Sequence, residues 1–229
     1  MARVLARMLD ALEPGMTTAE LDDLGARLLA KAGARSAPRL AYRFPGATCI
    51  SINEETAHGI PGDRIVRRGD VVNVDVSAEL EGYFADTGGT RVVPPSNAVK
   101  DRLCLATREA LDAAIATVRA GESLAAPGAA MEAVATAHGF RVIENLGSHG
   151  VGRKLHEAPG FIPGYHDPRE RRRLKEGQVI TLEPFLSTRS RRLRLAADGW
   201  TLKGLPGNLS AQYEHTLVVT RDAAIIVTR

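Results

Sequence analysis

The chain has 229 residues, 44% of them hydrophobic and only 4% aromatic, so one domain with a core of small aliphatic side chains is expected. A chain of this size buries roughly 70% of its unfolded surface and needs no disulfide staples. No apolar run is long enough to span a membrane, and Met1–Leu12 alternates charge with apolar residues, unlike a signal peptide. Two widely separated cysteines, Cys49 and Cys104, exclude a zinc ribbon or CxxC pair and point to the cytosol. Lys and Arg number 30 against 27 acids, and an excess of +3 is too small for a dedicated nucleic-acid binder.

In chain order, Val4, Leu5, Met8, Leu9 and Leu12 predict a helix over 2–12, stopped by Pro14-Gly15. Thr17 or Thr18 caps a second helix, with Glu20 in its first turn, running to Gly33. A Pro- and Gly-rich loop and short strands near 47–53 and 70–77 follow. A long amphipathic helix is expected over 98–119, and another over 125–137 after Ser123. Gly15 and Gly121, Gly33 and Gly139, and Arg35 and Arg141 are each 106 positions apart. This repeated order suggests two pseudo-symmetric halves, about 1–95 and 96–229, of one catalytic domain, with a site between them. The tail reads as strands at 178–182, 193–195 and 212–220, ending in a short buried strand at Ala223–Val227. The basic runs Arg169–Lys175 and Arg189–Arg194 read first as solvated loops.

Val72, Val74 and Val76 fall on one strand face, with Asn73, Asp75 and Ser77 on the other. Glu81-Gly82 resembles a turn, and Tyr83–Thr87 a return strand. With a Leu80-Glu81 loop, Asp75 faces Asp86; with a Glu81-Gly82 loop, the two are diagonal neighbours. Either register gathers two carboxylates on one face. His149 sits among Gly147, Gly150 and Gly152, which allow close backbone packing. Glu183 and Glu214 adjoin apolar strands, where an unpaired acid is costly. Four carboxylates and one imidazole suit hard or borderline divalent metals, and a charge of −4 matches two such ions.

The motifs His58-Gly59-Ile60-Pro61, Asp75/Asp86, glycine-framed His149 with His156-Glu157 and Pro159, Thr181-Leu182-Glu183-Pro184, and Gln212-Tyr213-Glu214-His215-Thr216 together resemble the type I methionine aminopeptidases over nearly the whole chain. The resemblance implies an α+β pita-bread fold, with a curved antiparallel sheet covered by helices. It implies a monomeric cytoplasmic hydrolase that removes N-terminal methionine from nascent chains whose second residue is small, using two ions of Co, Mn, Fe or Zn.

By the same resemblance, Asp75, Asp86, His149, Glu183 and Glu214 are the metal ligands. Asp86 and Glu214 bridge both ions; Asp75 completes one ion, and His149 with Glu183 the other. His58, His156 and Glu183 are catalytic, and His58, His156, Cys49, Phe44, Leu155 and Trp200 contact substrate. Ser148, Leu155 and Ala41 depart from the family pattern, which is usually Gly, often Phe and commonly Tyr at these places, and the first helix begins late. The two basic runs offer weak docking to the ribosome, where nascent chains emerge. The alternatives are a prolidase or aminopeptidase P, or a non-catalytic ribosome-binding relative. His138 is expected to cap a helix end, His166 to be exposed and His215 to be structural.

Overall fold

The computed structural model describes residues 1–229. The elements in chain order begin with α1 (Ala2–Ala11), α2 (Thr18–Lys31), β1 (Arg35–Ser36), α3 (Ala37–Tyr42), β2 (Cys49–Ile52) and β3 (Glu55–Ala57). The hairpin β4 (Val71–Leu80) and β5 (Tyr83–Val92) precedes α4 (Ala98–Ala116) and α5 (Ala126–Ala137). Then come β6 (Arg141–Val142), β7 (Gly147–Gly150), β8 (Glu157–Pro163), β9 (Val179–Leu182) and β10 (Phe185–Ser187). The chain ends with β11 (Arg194–Leu195), β12 (Leu202–Lys203), β13 (Ser210–Gln212), β14 (His215–Val218) and β15 (Ile225–Ile226). None of the helices is long and apolar enough to cross a membrane.

Every strand pairing is antiparallel, as in an α+β protein. β4 pairs along its length with β5, and its other edge takes β2 and then β1. A five-stranded sheet runs β15-β14-β9-β7-β8, and smaller sheets join β13-β10-β6 and β11-β12-β3. Helices cover one face of these sheets. Val4 and Met8 of α1 and Leu21 and Leu29 of α2 pack on Ile50, Val72, Val74 and Val76. Leu103, Ala110 and Leu111 of α4 and Met131 and Ala135 of α5 pack on Ile180, Leu182, Leu186, Ala211 and Leu217. On β4 the opposite face carries Asn73, Asp75 and Ser77, while Phe185 of β10 joins a small apolar cluster with Ala57, Ile143 and Leu193.

The reading of α2 holds in atomic detail. Thr17 Oγ1 accepts from Glu20 N–H, and the Glu20 carboxylate accepts the Thr17 N–H, a reciprocal cap. Two of the paired positions make like hydrogen bonds. Gly15 N–H donates to Val66 O at 2.9 Å, and Gly121 N–H to Leu174 O at 2.8 Å. Val66 N–H donates to Met16 O and Leu174 N–H to Glu122 O in the same way.

Four expectations need correction. Helix α3 lies inside the stretch read as loop, and the strand expected at 70–77 extends to Leu80. The C-terminal run is not a buried strand. Ile225 is 58% and Val227 53% exposed, because β15 is the edge of its sheet and pairs only with β14. The run Arg169–Lys175 is not simply solvated loop either. Leu174 is in the core, and Arg172 O and Leu174 O accept N–H groups from the turn before α5.

Candidate metal centre and substrate cleft

The hairpin register settles which carboxylates meet. Leu80 pairs with Tyr83, so the loop is Glu81-Gly82, and Asp86 lies opposite Ser77 while Asp75 lies opposite Gly88. Both loop residues have positive φ, 53° and 83°, the twist that a two-residue hairpin favours. Asp75 and Asp86 are therefore diagonal neighbours on the face away from the valines, with their carboxyl groups in hydrogen-bond reach.

Glu214 is brought in by stitching between β5 and β14. Thr216 Oγ1 accepts from Asp86 N–H and donates to Asp86 O; Thr87 Oγ1 donates to Glu214 O. Gln212 Nε2 donates to Glu214 Oε2 at 3.0 Å, and Asn73 Nδ2 holds Gln212 Oε1 at 2.7 Å. Gln212 fits here because residue 88 is glycine: a Cβ there would lie 2.2 Å from Gln212 Oε1.

His149, on β7, is oriented by its backbone. Its Nδ1–H donates to Gly150 O at 3.0 Å, so the Nε2 lone pair faces the acids, 3.5 Å from Glu183 Oε1 and 4.0 Å from Asp86 Oδ2. Thr181 Oγ1 accepts the His149 N–H and donates to Glu183 Oε1. Ser148 Oγ, at the position that departs from the family pattern, accepts the Glu183 N–H at 2.9 Å. Ligand atoms of Asp86, His149 and Glu214 lie within 4.8 Å of one another. Glu183 adjoins this group through His149, and Asp75 lines the same cleft as Asp86, His149 and Glu183.

The electrostatics of this cluster favour positive charge. Burial pushes Asp75 up to about 6. Burial, with repulsion from the neighbouring carboxylates, holds Asp86, Glu183 and Glu214 well above the usual range. Glu214 Oε1 is fully buried with no hydrogen-bond partner. Native proteins seldom leave such an atom unpaired. Burial, and after it the neighbouring His156, lowers His149 to about 4; burial also lowers His58 and His156. All three imidazoles are neutral near pH 7, the form that ligates metal. An orphaned acceptor, buried acids and a neutral imidazole fit divalent cations.

The cluster forms one side of a cleft of about 340 Å³. The expected substrate residues Phe44, Cys49, His58, Leu155, His156 and Trp200 line it with Asp75, Asp86, His149 and Glu183. Phe44 and Trp200 meet edge to face, with centroids 5.2 Å apart. Burial keeps the Cys49 thiol protonated, so it presents an apolar sulfur surface. His58 has φ 54°, and Gly59 after it touches β2 so closely that a Cβ would lie 2.1 Å from Ile50 O. A close-packed glycine thereby sets the direction of His58.

Several residues carry this site without having been singled out. Pro38, Tyr42 and Phe185 also line the cleft. Thr181, Gln212 and Thr216 stood in the motifs with no role assigned. Ala41 is exposed and away from the cleft; the ring near it comes from the next residue, Tyr42. His138 is the C-terminal cap residue of α5, but its ring pairs with Glu109 at 2.6 Å. His166 is exposed, and His215 Nδ1 meets Thr228 Oγ1 outside the cleft.

An antiparallel α+β frame thus presents these acids and imidazoles to an apolar cleft, a donor set suited to divalent cations. The chain belongs to metallopeptidase family M24, whose model matches residues 1–221. It is 44% identical over 229 residues to a methionine aminopeptidase of Staphylococcus epidermidis, covering 100% of this chain and 91% of that one. It is 44% identical over 218 residues to methionine aminopeptidase 2 of Bacillus subtilis, covering 95% of this chain and 88% of the relative. The crystal structure of methionine aminopeptidase from Rickettsia prowazekii superposes with a TM-score of 0.95 at 36% identity, covering 100% of this chain and 92% of that one.

Proposed function

We propose that residues 1–229 form one catalytic domain, with halves of about 1–95 and 96–229, that removes N-terminal methionine from nascent proteins and peptides whose second residue is small. The observation that carries this reading is the contiguity of the acid cluster with a cleft walled by Phe44, Cys49, Leu155 and Trp200. An unbranched thioether suits an apolar, sulfur- and ring-lined wall.

In this reading, Asp75, Asp86, His149, Glu183 and Glu214 would hold two divalent ions. Asp86 and Glu214 would serve both, Asp75 one, and His149 with Glu183 the other. The oxygen-rich set with one nitrogen accepts Mn, Fe, Co or Zn. Two such ions supply charge that polarises the scissile carbonyl, engages the free α-amine and lowers the pKa of water.

The chain's own groups do the rest. Thr181 Oγ1 pins Glu183 Oε1, leaving Oε2 to take a proton from the attacking water and pass it to the leaving amine. His156 donates a hydrogen bond to the carbonyl oxygen as negative charge grows there. His58 crowds the residue after methionine and orients its nitrogen. The departure at Leu155 leaves the cleft wall aliphatic where a ring is often found.

The basic runs add little to substrate capture. Arg169 pairs with Asp167, Arg172 with Glu170, and Arg191 and Arg192 with Glu144. Docking to ribosomal phosphates would rest on Arg171, Arg173, Lys175, Arg189 and Arg194, and would be weak and salt-sensitive. The substrate reading is tested by incubating metal-loaded protein with Met-Ala-Ser, Met-Lys-Ser and Ala-Pro-Ser and following the products by mass spectrometry. Methionine release from the first alone is expected. Turnover of Ala-Pro-Ser would favour the prolidase or aminopeptidase P reading, and comparable cleavage of Met-Lys-Ser would overturn the size limit.

A further inference from the structure

Tyr42 is 46% exposed, yet its hydroxyl makes a 2.7 Å hydrogen bond to His156 Nδ1, across 114 positions of sequence. The two rings are tilted by 57°, with centroids 5.5 Å apart. The imidazole is also confined on one face, where it stacks at 3.9 Å on His149. We infer that Tyr42 is a positioning residue for the proposed reaction: its O–H donates to His156 Nδ1 and so places the imidazole proton on Nε2, the atom left to meet the substrate carbonyl.

The direction of donation follows from the two partners. A phenol is a stronger acid than a neutral imidazole N–H, and an unprotonated imidazole nitrogen is a better acceptor than a phenolic oxygen. Donation from Oη to Nδ1 is therefore the stronger arrangement, and it leaves Nε2 as the donor. The reverse would leave a lone pair on Nε2, which would repel a carbonyl oxygen.

Both partners are held independently of this bond. Tyr42 ends α3, whose cap residue Ser36 accepts from Arg39 N–H and donates to Ala47 O at 2.7 Å. Arg43 then turns left-handed at φ 58° and closes the helix. On the other side, Glu157 Oε2 accepts the N–H groups of Arg153 and Lys154, fixing the turn that carries His156. Arg153 lies 3.8 Å over the Tyr83 ring and bonds its hydroxyl, anchoring that turn to the β4–β5 hairpin. Removing the Tyr42 hydroxyl should thus release the ring of His156 without moving its backbone.

This inference rests on the proposed peptidase reading, so its test has one arm that needs no turnover. Histidine-15N spectra of the metal-free protein, with the His156 signals assigned by loss in His156→Gln, should show the Nε2–H tautomer. In Tyr42→Phe, which keeps the ring, they should show a mixture of tautomers. In the second arm, metal-loaded Tyr42→Phe should lose about tenfold in kcat on Met-Ala-Ser, as for other groups that orient a site residue, with KM within about twofold. Tyr42→Ala should lose no less. A Nδ1–H tautomer in the wild type, or identical spectra in wild type and Tyr42→Phe, would overturn the inference. So would a Tyr42→Phe enzyme with wild-type kcat beside an impaired Tyr42→Ala, which would make the ring only a wall. A wild type with the Nε2–H tautomer but no methionine release would leave this assignment standing and sink the peptidase reading instead.

Discussion

Replacing Asp75 by Asn should make the metal-free protein more stable. Burial raises the Asp75 carboxyl from 3.8 to about 6. A raised folded-state value means the native state holds its proton more tightly than the unfolded chain. That stability is fully present below about pH 4 and is lost as pH rises through about 6. At pH 7.5 the cost of ionising Asp75 is about 3 kcal/mol, at 1.36 kcal/mol per unit. Because the side chain opens toward cleft water, about 2 kcal/mol is the working figure. Asparagine avoids that cost and removes one of the charges that raise Asp86. For a chain of this length, melting in chelator should rise by roughly 4–8 °C. Saturating metal should then stabilise the variant less than the wild type, since a ligand is gone. Thermal unfolding at pH 7.5, with chelator and with metal, checks both signs. An Asp75→Asn protein that melts below wild type in chelator would refute the reasoning.

Other consequences follow from the same site. Above about pH 7.5 the histidines are neutral in folded and unfolded states alike, so the raised values of Asp86, Glu183 and Glu214 dominate. Metal-free protein should therefore be less stable at about pH 8.5 than at about pH 7.5 in urea titrations while metal-loaded protein is not; a flat metal-free profile would contradict this. Glu183→Gln should keep the far-UV circular dichroism of wild type and lose at least 100-fold in Met-Ala-Ser turnover, because it removes a ligand charge and a proton carrier. Unchanged turnover would remove Glu183 from the site. Asp22 accepts from Ala47 N–H, Thr48 N–H and Thr48 Oγ1 while buried. Asp22→Ala should cost about 3 kcal/mol in urea unfolding by stranding these donors, and a cost below about 1 kcal/mol would show the loop after Phe44 is held otherwise.

The parts legible in the sequence were those with a local signature. Thr17 and Glu20 announce their helix because the cap is built within four residues. The five acid and imidazole positions stand out because charged groups interrupt valine-rich or glycine-rich strands. The hairpin was legible only to two registers, and the left-handed pair Glu81-Gly82 chose between them. Helix α3 was missed because six residues are too few to show a helical period, and Pro38 and Pro45 mimic loop composition. Tyr42 was missed with it, since its partner is remote in sequence and nothing local marks it. Ile225 and Val227 misled because an apolar edge strand reads like a buried one. Ser148 stood out only as a departure from the family's usual glycine, and the folded geometry shows its hydroxyl accepting the Glu183 N–H.

The central claim is that this acid cluster works by holding divalent metal. Its most direct test is to strip the protein with chelator, return Mn or Co in steps, and measure bound metal and Met-Ala-Ser turnover in the same samples. Turnover should be absent in chelator, rise as metal binds, and level off near two ions per chain. Full turnover in chelator, or metal bound to saturation without methionine release, would contradict it.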